Sequence, residues 1–261
     1  MSKTASTWIT YEHPLGERIR TVLRLEYYFE AAAEALQGKR VVDSRMAVDA
    51  LLGALGILDR GDIRSEFIKE LDRLAGGLSR IATLGTRPED EVADEKALCR
   101  DLLNRIDAAG AGLGQTLRDD ELLCAIAQRH AVGAGTCGFD LPAYHRWLSQ
   151  PHGQRQADLE RWLDHFSDLR DATALILHLQ RDTAQPESIH AEQGAWQYRP
   201  PFDSRPIQLI RVQVPTQCPH FPEVTGNRHM ITVRFLHQPD THSRPALAQE
   251  DVPFQLTICD L

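Results

Sequence analysis

Two arginines, Arg60 and Arg64, lie about one helical turn apart in the segment LDRGDIR at 58–64. Gly61 and Asp62 stand between them, and these residue types typically end one helix and cap the start of the next. The segment therefore predicts two helices joined by a fixed elbow that carries both guanidinium groups. Such groups donate charge-assisted hydrogen bonds to carboxylates, so an anionic partner is one interpretation. Charged residues opposite an apolar stripe are also typical of a solvated helix face, and this segment alone leaves both interpretations open.

A second group of basic side chains lies in the segment RHMITVRFL at 228–236. Its alternation predicts a strand with every second residue in a core, which leaves Arg234 on the opposite face. Arg228 stands where this strand begins. If the strand packs near the elbow, Arg228, Arg234 and Arg60 form a cationic groove for a short peptide with acidic and apolar side chains. Solvated arginines are the alternative.

Histidine and cysteine are frequent in the last third of the chain, but they do not have the spacing of a metal site. A zinc site needs close ligand pairs such as CxxC or HxxxH. No such pair occurs among the residues in question, which are Cys218, His220, His229, His237 and His242. We therefore expect no metal.

The pairs closest to a catalytic arrangement are Asp140 with His145 and Glu12 with His13. Neither has a nearby nucleophile and an orienting third group, which a hydrolase requires. The segment 133–138 spells GxGxxG, but it follows a predicted helix, whereas the dinucleotide-binding motif follows a strand. We expect neither an enzyme nor a bound cofactor.

Apolar residues recur every three to four positions over most of the first two thirds of the chain, which predicts a helical bundle. The predicted helices cover 15–36, 43–58, 63–85, 89–109, 117–131, 142–150, 154–166 and 169–183. Asp43 or Ser44 is expected to cap the second helix and Asp140 the sixth. Met46 in the second helix and Leu98 in the fourth are expected to face inward.

The pattern changes near residue 183. The polar segment 183–194 predicts a linker, and apolar and polar residues alternate after it, as they do in strands. The predicted strands cover 195–198, 207–214, 228–236 and 252–259, with Ile231, Val233 and Phe235 in the core. A short strand at 7–11 is expected to join them. We therefore predict an α+β fold, with an N-terminal all-helical bundle at 1–183 and a small antiparallel β-sheet domain at 190–261.

Composition narrows the class of protein. The formal charge is −8 over 261 residues, which argues against a general nucleic-acid binder because such proteins need many cationic contacts to phosphates. The five cysteines are scattered without a CxxC pair, as is usual in a reducing compartment. No signal peptide and no apolar run near the ~18 residues of a membrane helix occur, so we expect a cytoplasmic protein that does not insert into a membrane.

Five segments carry a resemblance to a known family. They are YEHPLGERIRTVLRLEYYFE (11–30), LDRGDIRSEFIKELDRL (58–74), TLRDDELLCAIAQR (116–129), GFDLPAYHRWL (138–148) and TGNRHMITVRF (225–235). In this order they resemble ZapD, a family of bacterial cell-division proteins. The resemblance implies a homodimer whose protomers bind the C-terminal tail of FtsZ and bundle FtsZ filaments, which stabilises the Z ring at mid-cell. The alternative is a structural adaptor dimer that binds another acidic peptide.

The resemblance also implies particular residues. The family's basic tail-binding positions match Arg60 and Arg234, and a further one matches Met230, where Arg228 or His229 would have to replace the lost contact. Arg64 is a further candidate, one turn from Arg60. The candidate tail-binding residues are Arg60, Arg64, Arg228, His229 and Arg234.

The dimer face implied by the resemblance includes Arg24 and His145. A further arginine of the family corresponds to Glu121 in this chain. A carboxylate cannot make the contacts of a guanidinium, so this part of the interface is expected to differ.

Overall fold

A computed structural model describes residues 7–85, 87–182, 184–227 and 229–261. The chain divides into two compact units. The helical unit is Thr21–Leu177, and the sheet unit joins the residues up to Arg20 with His178–Leu261. Helices dominate the N-terminal region and antiparallel strands the C-terminal part, so the predicted α+β fold is confirmed.

Nine α-helices occur in the described part of the chain. They are α1 (Glu17–Leu36), α2 (Val41–Leu58), α3 (Ile63–Leu84), α4 (Glu89–Ala108), α5 (Gln115–Arg118), α6 (Glu121–His130), α7 (Pro142–Leu148), α8 (His152–Asp164) and α9 (Ser167–Asp182). Helices α3 and α4 pack closely on each other, and α2 packs on α8. In the described part of the chain, no helix is both long enough and apolar enough to cross a membrane.

The helical core follows the predicted stripes with two exceptions. Met46 on α2 is 52% exposed and Leu98 on α4 is 46% exposed, so the expectation that they face inward was wrong. Ala47 and Cys99, one position further along each helix, are fully buried instead. Successive helical residues differ by about 100° in direction, so a shift of one residue moves a side chain out of the core.

Helix α2 begins earlier than its polar residues suggested. Its N-cap is Arg40, and Asp43 lies three residues further on, where its Oδ2 accepts a hydrogen bond from the Arg40 amide at 2.8 Å. Neither Asp43 nor Ser44 is the cap; Asp43 instead completes a capping box. Hydrogen bonds from the Arg40 side chain hold the pKa of Asp43 below its usual value, and the weaker effect of the hydrogen bond from the Arg40 amide lowers it further. Helix α7 likewise has Leu141 as its N-cap, where Asp140 was expected.

Among the residues that the structure describes, eight strands form two antiparallel sheets of four strands each, where a single sheet was expected. The strands are β1 (Trp8–Pro14), β2 (Glu187–Ala191), β3 (Ala195–Tyr198), β4 (Leu209–Pro215), β5 (His220–Gly226), β6 (Ile231–His237), β7 (Ala246–Leu247) and β8 (Val252–Cys259). The first sheet has the order β1-β4-β8-β2. The second has the order β3-β6-β5, with β7 also paired to β6. Strand β2 lies in the segment that was expected to be a linker.

One hydrophobic cluster takes residues from both sheets. Ile231, Val233 and Phe235 are fully buried in it, so the predicted core face of β6 is confirmed. The N-terminal strand β1 pairs with β4, with Trp8 opposite Pro215. Burial of the alternate residues of each strand therefore leaves the other face of β6 free to carry polar side chains.

Candidate partner-binding site

The elbow between α2 and α3 exposes Arg60. Asp59 is the C-cap of α2, a role that had been expected of Gly61, and Asp62 caps α3 as predicted. The Asp62 carboxylate accepts a hydrogen bond from the Ser65 amide at 3.1 Å. Hydrogen bonds from the Ser65 hydroxyl and amide hold the pKa of Asp62 below its usual value, so the cap is ionised at neutral pH.

The Arg60 guanidinium has no acidic partner among the residues that the structure describes. Its neighbour Arg64 is half-buried and pairs with the Asp107 carboxylate at the end of α4. Arg64 also donates a hydrogen bond to the Asp107 carbonyl at 3.1 Å. An anionic ligand would have to compete with Asp107 for Arg64, whereas Arg60 is available without such competition.

A second ion pair supports the elbow. Arg118 binds Asp59 at 2.8 Å and donates a hydrogen bond to the Leu113 carbonyl at 3.0 Å. No pattern in the sequence indicates this contact or the Arg64–Asp107 pair, since the partners are 59 and 43 residues apart. These contacts position the elbow, and with it Arg60.

A pocket of about 350 Å³ lies beside the elbow. Apolar surface from Leu58, Ile63 and Leu113 lines it together with Arg64 and Arg118. Apolar and charged groups therefore adjoin each other next to Arg60.

Arg234 is exposed on the outer face of β6, the face opposite the hydrophobic cluster. It stands between Ala195 of β3 and Glu223 of β5 in the strand register. Its Nη1 lies 3.8 Å from the Glu223 carboxylate, which is beyond hydrogen-bond distance. The sequence did not identify Glu223 as a neighbour, because cross-strand register depends on the turn between β5 and β6.

The start of β6 holds the other candidates. The His229 amide donates a hydrogen bond to the Asn227 side-chain oxygen at 2.8 Å, and the His229 side chain is exposed. Met230, at the position where the resemblance implies a basic residue, is 39% exposed. Arg228 lies outside the described residues. Arg60 and Arg64 thus belong to the helical unit, and His229 and Arg234 to the sheet unit.

Both candidates for the dimer face are exposed in the helical unit, Arg24 on α1 and His145 on α7. Glu121 is the first residue of α6, directly after the N-cap Asp120. An acidic side chain at this position interacts favourably with the positive end of the helix dipole. The start of α6 therefore explains an acidic residue at position 121 without any contact to a second protomer.

The cysteines offer no reactive centre in the core. Burial raises the pKa of the Cys99 thiol to about 11 and that of Cys259 to about 12. Within the described ranges, no three histidine, cysteine, aspartate or glutamate side chains are grouped so that they could hold a metal ion.

Comparison with known proteins gives the family. The profile of the ZapD family, described as a cell division protein, matches residues 23–234. Three relatives carry the name Cell division protein ZapD. The one from Methylococcus capsulatus is 41% identical, over 96% of this chain and 98% of its own length. Those from an Azoarcus species and from Aromatoleum aromaticum are 34% and 35% identical, over 97% of this chain and 100% and 98% of their own lengths.

Matches of this extent to relatives of one kind define the chain as a cell division protein. It belongs to the ZapD family. The resemblance carried by the five sequence segments is thus confirmed.

Proposed function

We propose that this protein binds the C-terminal tail of FtsZ and, as a homodimer, cross-links FtsZ filaments in the cytoplasm at the division site. One observation carries the proposal. In this chain, which belongs to the ZapD family, Arg60 is exposed at a capped elbow and has no acidic partner among the described residues. Binding, without catalysis, is the proposed activity.

The proposed tail-binding residues are Arg60 on the helical unit and, on the sheet unit, Arg234 with His229 or Arg228, which would replace the basic residue that the resemblance implies at Met230. Charge complementarity supports this choice. The chain carries a net charge of −8, so an acidic segment of FtsZ is attracted only where cations are gathered locally. Arg64 has a supporting role, because its pair with Asp107 stabilises the elbow.

Cross-linking requires two tail sites in one particle. A dimer that joins through the face containing Arg24 and His145 provides them. Once one tail of a filament pair is bound, the second site meets another tail at a high effective concentration. Two weak binding events therefore give a cross-link that is more stable than either one alone. Bundling therefore depends on the dimer as well as on the tail site.

The test is fluorescence anisotropy of a labelled FtsZ C-terminal tail peptide titrated with the purified protein, at low and at physiological salt. We expect saturable binding that salt weakens and that Arg60→Glu removes. Arg80→Glu is the matched control, because Arg80 is also an exposed arginine of the helical unit and the charge change is identical. Equal loss of binding in both variants would show a general charge effect and would refute a site at Arg60.

The adaptor function is tested in the same experiment. If the protein is folded and dimeric by size-exclusion chromatography with light scattering but does not bind the peptide, the FtsZ proposal is refuted. The remaining candidate would then be an adaptor dimer for another acidic peptide.

A further inference from the structure

The outer face of the sheet formed by β3, β6 and β5 is organised in three rows that run across the strands. The register places one residue of β6 in each row. The apolar row is Phe221, Leu236 and Leu247; the charged row is Glu223, Arg234 and Ala195; the polar row is Thr225, Thr232 and Gln197. The apolar row therefore lies directly beside Arg234.

The apolar row is not needed by the core of the sheet unit. The hydrophobic cluster of this unit is built from the opposite face, for example from Val233 and Phe235 of β6. Phe221, Leu236 and Leu247 are half-buried and are not among the described side chains that pack against that cluster. An antiparallel sheet with one core face usually carries polar residues on the other, as the charged and polar rows do. Adjoining apolar side chains on such a face are typical of an interaction surface.

The charged row is loosely paired. Arg234 and Glu223 lie 3.8 Å apart, and their side chains are 49% and 52% exposed. An exposed pair at this distance contributes little stability. Arg234 can therefore exchange Glu223 for a carboxylate of a ligand at little cost.

We propose that Arg234 and the apolar row form one peptide subsite, which binds an extended segment of the FtsZ tail. An acidic residue of the tail binds Arg234, and an apolar residue two positions away packs on the apolar row. The spacing carries this inference: Arg234 and Leu236 are two residues apart on one strand, and an extended peptide repeats its side chains at the same interval of roughly 6.6 to 6.8 Å. The subsite rests on the proposed function and adds the chemistry of the bound segment to it.

Glu223 acquires a role in this subsite. It competes with the ligand for Arg234 and repels a carboxylate placed over β5. The subsite therefore selects a tail with one acidic residue and a neighbouring apolar residue over a segment that is only acidic.

The test is anisotropy of the labelled FtsZ tail peptide with three variants. Leu236→Ser removes the centre of the apolar row, and we expect about tenfold weaker binding from the loss of one buried apolar contact. Glu223→Gln removes the competitor, and we expect binding to tighten about two- to threefold. Leu98→Ser is the matched control, since it removes a leucine that is 46% exposed on the helical unit, and it should not change binding.

A substitution in the peptide tests the same contact in the wild-type protein, so the result does not depend on whether the Leu236→Ser variant folds. Replacing the apolar residue two positions from the acidic one by serine should weaken binding to the wild-type protein by the same factor. It should have little further effect on Leu236→Ser, because the two changes remove one shared contact.

The outcomes separate this inference from the proposed function. Binding that depends on Arg234 but is unchanged by Leu236→Ser, by Glu223→Gln and by the peptide substitution would overturn the subsite and leave tail binding in place. Absence of binding to the wild-type protein would overturn both. Fully additive effects of Leu236→Ser and the peptide substitution would place the apolar residue elsewhere, which also overturns the subsite.

Discussion

Replacement of Arg155 by methionine should destabilise the helical unit by about 3 kcal/mol. Arg155 is only 4% exposed. Its Nε donates to the Ser44 hydroxyl at 3.0 Å, and its Nη atoms donate to the carbonyls of Lys39 at 3.2 Å, Leu148 at 3.4 Å and Gln150. One side chain of α8 thus ties the turn between α1 and α2 to the turn between α7 and α8.

The magnitude follows from these four contacts. Hydrogen bonds to a charged group contribute about 1.5 to 3 kcal/mol each, and a buried acceptor left without a donor costs about 1 to 3 kcal/mol. Water can replace the donor at the partly buried contacts to Lys39 and Gln150, and removing the buried charge recovers part of its desolvation cost. Methionine keeps an unbranched apolar stem in the same space, so most of the remaining loss of stability comes from the missing hydrogen bonds.

The assay is urea unfolding followed by circular dichroism in the helical band. A loss of about 3 kcal/mol also lowers the melting temperature by roughly 6 to 12 °C in a protein of this size. Arg161→Ala is the matched control on the same helix, because the Arg161 side chain is 58% exposed and pairs with Asp158 on the surface. It should cost less than about 1 kcal/mol. If Arg155→Met costs no more than Arg161→Ala, the account of Arg155 as a buried tie is wrong.

Three further changes test other contacts. Asp43→Asn should destabilise the protein at neutral pH. The lowered pKa of Asp43 means that its stabilisation is present above the ordinary aspartate pKa and is lost as the pH falls through the lowered one. Wild type and variant should therefore converge in acid when unfolding is measured across pH, and a constant difference would contradict this. Glu12→Gln leaves the half-buried guanidinium of Arg181, bound to Glu12 at 2.8 and 2.6 Å, without its carboxylate. We expect a loss of about 2 kcal/mol in urea unfolding, and a change near zero would mean that solvent replaces the pair. Arg234→Glu should abolish FtsZ bundling in a sedimentation assay and leave the dimer intact by light scattering, and preserved bundling would remove Arg234 from the tail site.

The sequence predicted the fold class and the main local features because both depend on short-range patterns. Asp62 is a cap because its side chain reaches an amide three residues away, and that contact needs no tertiary partner. Ile231, Val233 and Phe235 share a face because strand residues alternate, whatever the sheet contains.

The failures have equally specific reasons. Strand β5 was missed because Pro222 and Gly226 interrupt its pattern, and both residue types usually argue against a strand. The sequence of strand β2 predicts a linker because this strand is the edge of its sheet and exposes most of its side chains, so it shows little apolar alternation. Met46 and Leu98 were placed inward because a helical stripe predicted from spacing alone has an uncertainty of one residue.

Short-range patterns are enough to place the cations: Arg60 and Arg64 at an elbow, and Arg234 on the polar face of a strand. The groups that these cations contact depend on the three-dimensional fold. Arg64 is bound by Asp107, which is 43 residues away, and Arg234 faces Glu223 across a register set by the β5–β6 pairing. The physical reason is that caps and alternation act within a few residues, whereas an ion pair acts through space between groups that the fold alone brings together.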